Sequence, residues 1–255
     1  MDKGYKSMAV ILSAVQVETD SIKRAFGEWK RLYFAEDRHE YYETFITDKN
    51  GDEQRLITTQ QNVMGMTACT LLATKAVHRF RPRYLIMSGI AAGLNEEASQ
   101  MYGDVLVPDV IWDYTTGKYV GPDESEIRFG DVGFLPRPVS IKTKPEILEL
   151  VRATADDPEN EYHIQIGPLA CGSSVVANAE VVEKKIKPLF PETVGLDMES
   201  YSVSYVAENV SEPKPVAIVA KSICDFANSE KDDRFQKFAA FNSAEYVKYL
   251  LCKHL

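Results

Sequence analysis

Residues 8–18 read Met8-Ala9-Val10-Ile11-Leu12-Ser13-Ala14-Val15-Gln16-Val17-Glu18. The beginning of this segment is apolar at nearly every position, as expected of a strand buried on both faces of a sheet. Residues 17–29 then have helical spacing, with Ile22, Ala25 and Phe26 on one side. A buried strand that leads directly into a helix is typical of a sheet covered by helices.

The same alternation of strand and helix continues along the sequence. Further strands are predicted at residues 41–47, 55–60, 83–89, 104–112, 164–171 and 215–223, and further helices at 66–80, 144–153, 178–186, 198–209 and 234–252. This order predicts an α/β fold, a three-layer sandwich with a mixed, largely parallel central sheet flanked by helices. Because no repeat or linker divides the sequence, we expect a single domain over residues 1–255, with residues 122–138 as a surface excursion.

Composition excludes several classes of protein. The 255 residues are 45% hydrophobic and carry a net charge of −9, which argues against nucleic acid or an anionic membrane as the main partner. Apolar runs stay well short of the roughly 18–20 residues that a membrane span needs, and the first residues lack the pattern of a signal peptide. We therefore expect a cytoplasmic protein. Its cysteines and histidines are dispersed, so neither a metal site nor a cofactor is predicted.

Acidic and small residues follow four of the predicted strands, where ligands of such sheets bind. They are Glu18, the small-residue turn at residues 88–93, the pair Asp197 and Glu199 at the start of a helix, and Asp225. Each also fits a structural role: the glutamates as first-turn residues of a helix, Asp225 as a cap, and the turn as tight strand–helix packing. Their joint occurrence at strand ends predicts a functional site.

These segments, in this order from Met8 to about Leu250, resemble the nucleoside phosphorylase and nucleosidase superfamily. The likeness is strongest to the 5′-methylthioadenosine/S-adenosylhomocysteine nucleosidases. The segments that carry it are residues 13–18, 63–66, 88–94, 103–107, 171–176, 197–199 and 222–227. The Met-Glu pair at 198–199 together with the later Asp225 is its most specific part.

The resemblance implies a role for each candidate residue. Glu18 falls on the carboxylate that activates water, and Asp225 on the acid that protonates N7 of the departing purine. The other positions fall on residues that bind the ribose or flank the base, and the predicted substrate-binding set is Ile90, Ala91, Val175, Val176, Asp197, Met198, Glu199 and Phe235. No cofactor is implied.

The chemistry of the bond supports two unequal carboxyl groups. Breaking an N-glycosidic bond develops positive charge on the sugar and negative charge on the base, so one carboxyl group must donate a proton while another acts on water. Asp225 lies among Ile223, Cys224 and Phe226. These apolar neighbours keep water from its carboxyl group, which favours the protonated acid. Glu18 must instead be ionised.

Water is expected to be the nucleophile. In the superfamily, phosphorylases hold phosphate with a Gly-rich turn after the first strand and with an Arg before the middle Gly turn. Here the first site has no Gly and contains Glu18, and Met87 stands at the position of the Arg. Because a desolvated phosphate without a cationic partner is costly, we predict hydrolysis of a purine nucleoside that resembles methylthioadenosine or S-adenosylhomocysteine.

Three alternatives remain open from the sequence. The sequence departs from the methylthioadenosine enzymes at Ile90, Val175 and Cys224. The segment at 224–235 resembles nucleosidase domains of bacterial and fungal defence proteins. This resemblance allows a purine nucleotide of the AMP or ATP type as the substrate. Lys231 and Arg234 would then meet phosphates or remain solvated charges. The others are a phosphate-dependent phosphorylase and a catalytically silent nucleoside-binding protein.

The resemblance also implies a homodimer. Its candidate interface residues form an apolar–aromatic group that fits the core equally well: Val110, Ile111, Trp112 and Tyr114.

Overall fold

Strand β1 (Ser7–Ser13) lies at the centre of the sheet and is buried at every residue. It pairs in parallel with strand β4 (Glu53–Gln60) on one side and with strand β5 (Pro82–Gly93) on the other. A computed structural model describes residues 4–94, 100–129, 132–228 and 233–255. Alternate side chains of β1 pack into apolar clusters on the two faces of the sheet, Val10 and Leu12 in one and Ala9 and Ile11 in the other, which explains its continuous apolar sequence.

The elements follow one another in the predicted alternation. The strands are β1 (Ser7–Ser13), β2 (Lys30–Leu32), β3 (Tyr41–Thr47), β4 (Glu53–Gln60), β5 (Pro82–Gly93), β6 (Val105–Asp113), β7 (Gly117–Val120), β8 (Arg128–Phe129), β9 (Val132–Pro136), β10 (Ser140–Lys142), β11 (Ile164–Cys171), β12 (Gly195–Asp197) and β13 (Val216–Asp225). The helices are α1 (Gln16–Phe26), α2 (Met66–Phe80), α3 (Pro145–Ala155), α4 (Ala179–Val181), α5 (Ser200–Asn209) and α6 (Gln236–Tyr249). Short π-helical segments continue α4 over Val182–Ile186 and α6 over Leu250–His254.

The main sheet is mixed, and helices cover both of its faces. Its strand order is β10-β6-β11-β12-β5-β1-β4-β3-β2, and β13 pairs with both β5 and β6. Apolar residues of α2 and α5 pack on one face, and those of α1, α3 and α6 pack on the other. The prediction of a three-layer α/β sandwich with a mixed central sheet is confirmed.

Local details differ from the sequence prediction in three places. Residues 88–93 are not a turn but the second half of β5, because β13 continues to pair with β5 as far as Ala92. Asp197 ends β12 and Glu199 precedes α5, so neither carboxylate lies in the first turn of the helix. The excursion at 122–138 contributes to a second, three-stranded sheet in the order β7-β9-β8.

The proposed interface group was wrong for three of its four members. Ile111, Trp112 and Tyr114 are at most 3% exposed, and Trp112 stacks on Phe190 with ring centres 4.6 Å apart. Ile111 packs in the apolar cluster beneath α2 and α5, and Trp112 and Tyr114 pack in another apolar cluster with Phe190, so these side chains are covered within the chain. Only Val110 is half-buried.

Among the described residues, no helix has the length and hydropathy to cross a bilayer.

Candidate active site

Glu18 is a buried carboxylate held by backbone amides at the end of β1. Its side chain is 2% exposed. Oε2 accepts hydrogen bonds from the amides of Ala14 (2.6 Å) and Val15 (3.2 Å), and Oε1 accepts one from the amide of Ile90 (2.8 Å) on β5. The first two arise because Glu18 lies in the opening turn of α1 and folds back on the preceding residues. Glu18 is therefore fixed between two strand ends.

Gly89 leaves room for that carboxylate. A Cβ atom at residue 89 would overlap the carboxyl group of Glu18. The requirement is one of space, since the backbone at Gly89 is not in the left-handed region. Glycine at this position in β5 allows Glu18 to lie directly against the strand.

We expect Gly89→Ala to displace Glu18 and to lower both stability and activity. Overpacking a filled site costs about 1–3 kcal/mol, and a misplacement of about 1 Å costs on the order of 10²-fold in rate. Urea unfolding measures the stability, and initial rates of the hydrolysis predicted from the sequence measure the activity. Gly121→Ala is a matched control, since Gly121 is exposed and its φ is −62°. Equal kcat in wild type and Gly89→Ala would contradict the role assigned to this space.

Lys221 is a fully buried cation surrounded by three carboxylates. It lies in the middle of β13 and is 0% exposed. Its Nζ is 3.4 Å from Asp197 Oδ2, 3.6 Å from Glu199 Oε2 and 3.9 Å from Glu18 Oε1. These attractions outweigh the effect of burial and raise the pKa of Lys221 above its usual range. The structure thus brings three of the predicted acids together around one ammonium group.

Asp197 and Glu199 are oriented by separate hydrogen bonds. The Ser200 hydroxyl donates to Asp197 Oδ2 (2.5 Å). Glu199 Oε1 accepts hydrogen bonds from Gln61 Nε2 (3.1 Å) and from the amide of Gly65 (2.8 Å). Gly65 has a φ of +107°, which favours glycine, and it directs its amide towards the site at the start of α2.

Three buried carboxylates against one cation leave an excess of negative charge. Burial is the main cause of the raised pKa of Glu199, and the nearby Asp197 and Glu18 add to it while Lys221 opposes it. Glu199 therefore takes up a proton, or requires a polar partner, more readily than an exposed glutamate does. A sugar hydroxyl is such a partner.

The raised pKa of Glu199 makes stability depend on pH. Above its usual value of 4.5, the folded state binds more protons at this group than the unfolded state does. Glu199 therefore contributes a loss of stability as pH rises from about 4.5 through the folded-state pKa. We expect the free energy of unfolding of Glu199→Gln, measured in urea, to increase relative to that of wild type as the pH rises from 5 to 8. The exposed Glu183→Gln is the control. A gap that narrows with rising pH would contradict the assignment.

Asp225 ends β13, four residues after Lys221. It is 3% exposed, and its Oδ1 accepts a hydrogen bond from the amide of Ala227 (2.9 Å). The thiol of Cys224 donates to Oδ2 over 3.4 Å. Ala227 adopts a left-handed φ of 54°, a strained conformation that turns the chain back towards Asp225. Four residues correspond to at most about 13 Å of strand, so Asp225 and Lys221 both lie in the second half of β13.

The remaining predicted residues lie at the ends of the same group of strands. Ile90 is half-buried and Ala91 is buried, both on β5, and Met198 is half-buried between β12 and α5. After β11, Val175 is 53% exposed, whereas Val176 is 7% exposed and packs in an apolar cluster.

The aromatic candidate belongs to a group of three rings next to Asp225. Phe235 stacks on Tyr102 with ring centres 3.9 Å apart, and Tyr102 also packs edge-on against Phe226. This places Phe235 close to the end of β13. Lys231 lies outside the described residues, and Arg234 is exposed.

Two residues of the cluster were missed in the sequence. Lys221 is the one charged residue in the apolar segment 216–223, and a charge within a buried strand is itself a signal of function or pairing. Gln61 gave no comparable signal. It is 2% exposed and bonds to Glu199 across 138 residues.

In the described part of the chain, no group of three histidine, cysteine or acidic side chains is placed to hold a metal ion.

Comparison with known proteins identifies the superfamily of this chain. The sequence profile of the phosphorylase superfamily matches residues 9–251, and the chain therefore belongs to that superfamily.

Individual relatives narrow the resemblance. The Sinorhizobium fredii protein y4jS is 28% identical over 205 residues, which are 73% of this chain and 46% of that protein. The 5′-methylthioadenosine/S-adenosylhomocysteine nucleosidase of Buchnera aphidicola is 29% identical over 74% of this chain and 76% of its own. The Neisseria meningitidis enzyme of the same name, solved with methylthio-immucillin-A, superposes with a TM-score of 0.76 at 20% identity, covering 98% and 100% of the two chains.

Proposed function

We propose that this protein hydrolyses the N-glycosidic bond of a purine nucleoside and releases the free base. The observation that carries the proposal is the buried Glu18 carboxylate, held by three backbone amides with the Lys221 ammonium 3.9 Å away. These hydrogen bonds hold the Glu18 carboxylate in one position between the end of β1 and strand β5. The nucleosidases among the relatives support the same reaction.

In the proposed mechanism, Glu18 removes a proton from water as the bond between C1′ and the base nitrogen breaks. The hydroxyl group adds to C1′, the bonding electrons leave with the purine, and Asp225 donates a proton to N7. Glu199 accepts hydrogen bonds from the ribose hydroxyls, and Met198 packs against the sugar. Carboxyl groups in two different environments divide the work of base and acid.

The charge of the cluster favours water over phosphate. Three carboxylates surround one ammonium group, so a phosphate dianion would enter a region that is already negative. Met87, which stands at the position of the phosphorylases' Arg, is fully buried in the apolar core. Its side chain offers no cation to offset the desolvation of phosphate.

The proposed substrate is an adenine nucleoside with a 5′ substituent, by analogy with the methylthioadenosine and S-adenosylhomocysteine nucleosidases among the relatives. A purine nucleotide is the second candidate. The specific observation in its favour is the exposed Arg234 next to Phe235, because a guanidinium group there would donate hydrogen bonds to a 5′ phosphate.

A substrate panel tests the proposal. Methylthioadenosine, S-adenosylhomocysteine, adenosine, inosine, AMP and ATP are each incubated with and without phosphate, in water enriched in ¹⁸O. Hydrolysis gives free base and a pentose labelled at C1′, at a rate that phosphate does not change. Pentose 1-phosphate would identify a phosphorylase, and base release from AMP or ATP alone would select the nucleotide. No release from any of the six would contradict the proposal.

We also propose that the protein is a cytoplasmic homodimer of single-domain chains. The dimer is supported by three exposed apolar side chains near helices α2 and α5. Met64 just before α2 is 53% exposed, Leu71 on α2 is 56% exposed, and Tyr205 on α5 is 47% exposed. Exposed apolar groups of this kind favour a protein interface. Sedimentation equilibrium should give twice the chain mass.

A further inference from the structure

A buried serine hydroxyl joins the two strands that carry the site. Ser243 lies on α6 and is fully buried. Its Oγ donates to the carbonyl oxygen of Ala220 (2.8 Å), accepts from the amide of Gly89 (3.0 Å) and lies 2.9 Å from the Ser88 hydroxyl. A serine hydroxyl has one proton to donate and two positions that accept. If Ser88 donates to it, these three contacts use the full capacity of Ser243.

The two strands are held where the site residues emerge from them. In the β5–β13 pairing, Ser88 is opposite Ala220 and Gly89 is opposite Lys221. On β5, the residue after Gly89 is Ile90, whose amide binds Glu18. On β13, the residue after Ala220 is Lys221. The Ser243 hydroxyl thus bridges the amide that precedes the Glu18 anchor and the carbonyl that precedes the buried cation.

A small shift between β5 and β13 would change the charge arrangement of the site. Glu18 lies directly against Gly89, and Lys221 Nζ is 3.9 Å from Glu18 Oε1. The interaction of buried charges depends strongly on their separation because little solvent screens them. The position of Lys221 relative to Glu18 therefore depends on how the two strands are held together.

We propose that Ser243 is a positioning residue that sets the relative placement of Glu18 and Lys221 by bridging β5 and β13. It does not touch the substrate. The inference rests on the proposed hydrolase function, in which Glu18 acts on water.

Ser243→Ala tests the inference. The variant leaves the Gly89 amide and the Ala220 carbonyl without the bridging hydroxyl, so the strands readjust at the level of the site. We expect kcat for base release to fall about 10- to 100-fold, with KM within about twofold of wild type. This split is expected because Glu18 acts on water only as the bond breaks, whereas the ribose and the base are bound by other residues.

Two further variants grade the effect. Ser243→Thr retains the hydroxyl and should restore most of kcat. Ser243→Cys retains a side chain of similar shape with a weaker donor and acceptor, so its kcat should lie between those of the alanine variant and wild type. If the alanine variant does not fold, the order wild type, threonine and then cysteine still tests the bridge.

Thr154→Val is the matched control for loss of a buried hydroxyl. Thr154 is fully buried on α3. Its hydroxyl lies close to the carbonyls of Leu150 and Val151 and 3.3 Å from the Tyr246 hydroxyl on α6, and none of these three groups belongs to the site. It should lower the melting temperature with kcat and KM unchanged.

The outcomes separate the inference from the function on which it rests. A lower melting temperature with wild-type kcat in Ser243→Ala would assign the hydroxyl a purely structural role and overturn the inference. A raised KM with unchanged kcat, or no rescue by threonine in a folded variant, would overturn it as well. Absence of base release in wild type would instead contradict the proposed hydrolase.

Discussion

Replacing Glu18 by Gln is expected to lower kcat about 10²- to 10⁴-fold, the usual contribution of a general base. Glutamine has nearly the same shape and can still accept a hydrogen bond from the Ile90 amide, but it cannot take a proton from water. Affinity for the substrate should be retained, because the ribose and the base are bound by other residues. Rates of adenine release and calorimetry with a non-hydrolysable C-nucleoside measure the two quantities separately.

Asp20→Asn is the control for the Glu18 experiment. Asp20 is an exposed acid on the same helix, bonded only to Gln16 among the contacts described for it, so its replacement removes a charge without touching the cluster. A Glu18→Gln enzyme with full turnover would contradict the assignment of Glu18 as the base. A chain with no turnover in either form that still binds nucleosides would be a binding protein.

Replacing Lys221 by Ala is expected to lower the free energy of unfolding by about 3–5 kcal/mol, the usual cost of removing one partner from a buried ion pair. Asp197, Glu199 and Glu18 would then share a buried site without their cation. The loss should be smaller at pH 5 than at pH 8, because the raised pKa of Glu199 leaves that carboxyl group more protonated at the lower pH. Urea unfolding at the two pH values measures both effects.

Matched variants separate the charge of Lys221 from its packing. Lys221→Met keeps an unbranched apolar side chain without the ammonium group, and it should be nearly as unstable as the alanine variant if charge dominates. Lys184→Ala removes a lysine from an exposed pair with Glu180 and should cost about 0–1 kcal/mol. A stable Lys221→Met protein would show that the carboxylates do not require the cation.

The prediction from sequence succeeded where the signal was local. Helix α2 (Met66–Phe80) and strand β11 (Ile164–Cys171) have the predicted bounds, because their apolar periodicity is complete within each segment. The boundaries at the site were less accurate. Residues 88–93 consist of small side chains, which suggested a turn, but pairing with β13 keeps them extended.

Surface and core could not be separated for the apolar group on β6. Val110, Ile111, Trp112 and Tyr114 have the composition of either an interface or a core. Only packing in the apolar clusters, such as that of Trp112 on Phe190, decides for the core at the last three, while Val110 is half-buried. Burial of an apolar segment depends on neighbours from distant parts of the chain, which periodicity does not contain.

The sequence by itself determined the alternation of strands and helices, the superfamily to which it points, and the acids at the strand ends. These follow from local patterning and from the rule that parallel strands present their carboxyl ends at one edge. Only the tertiary structure decided that Glu18, Asp197 and Glu199 surround Lys221, and that Ser243 joins the strands beneath them. Those contacts link residues up to about two hundred positions apart, and their energies arise from burial and charge separation, which exist only once the chain has folded.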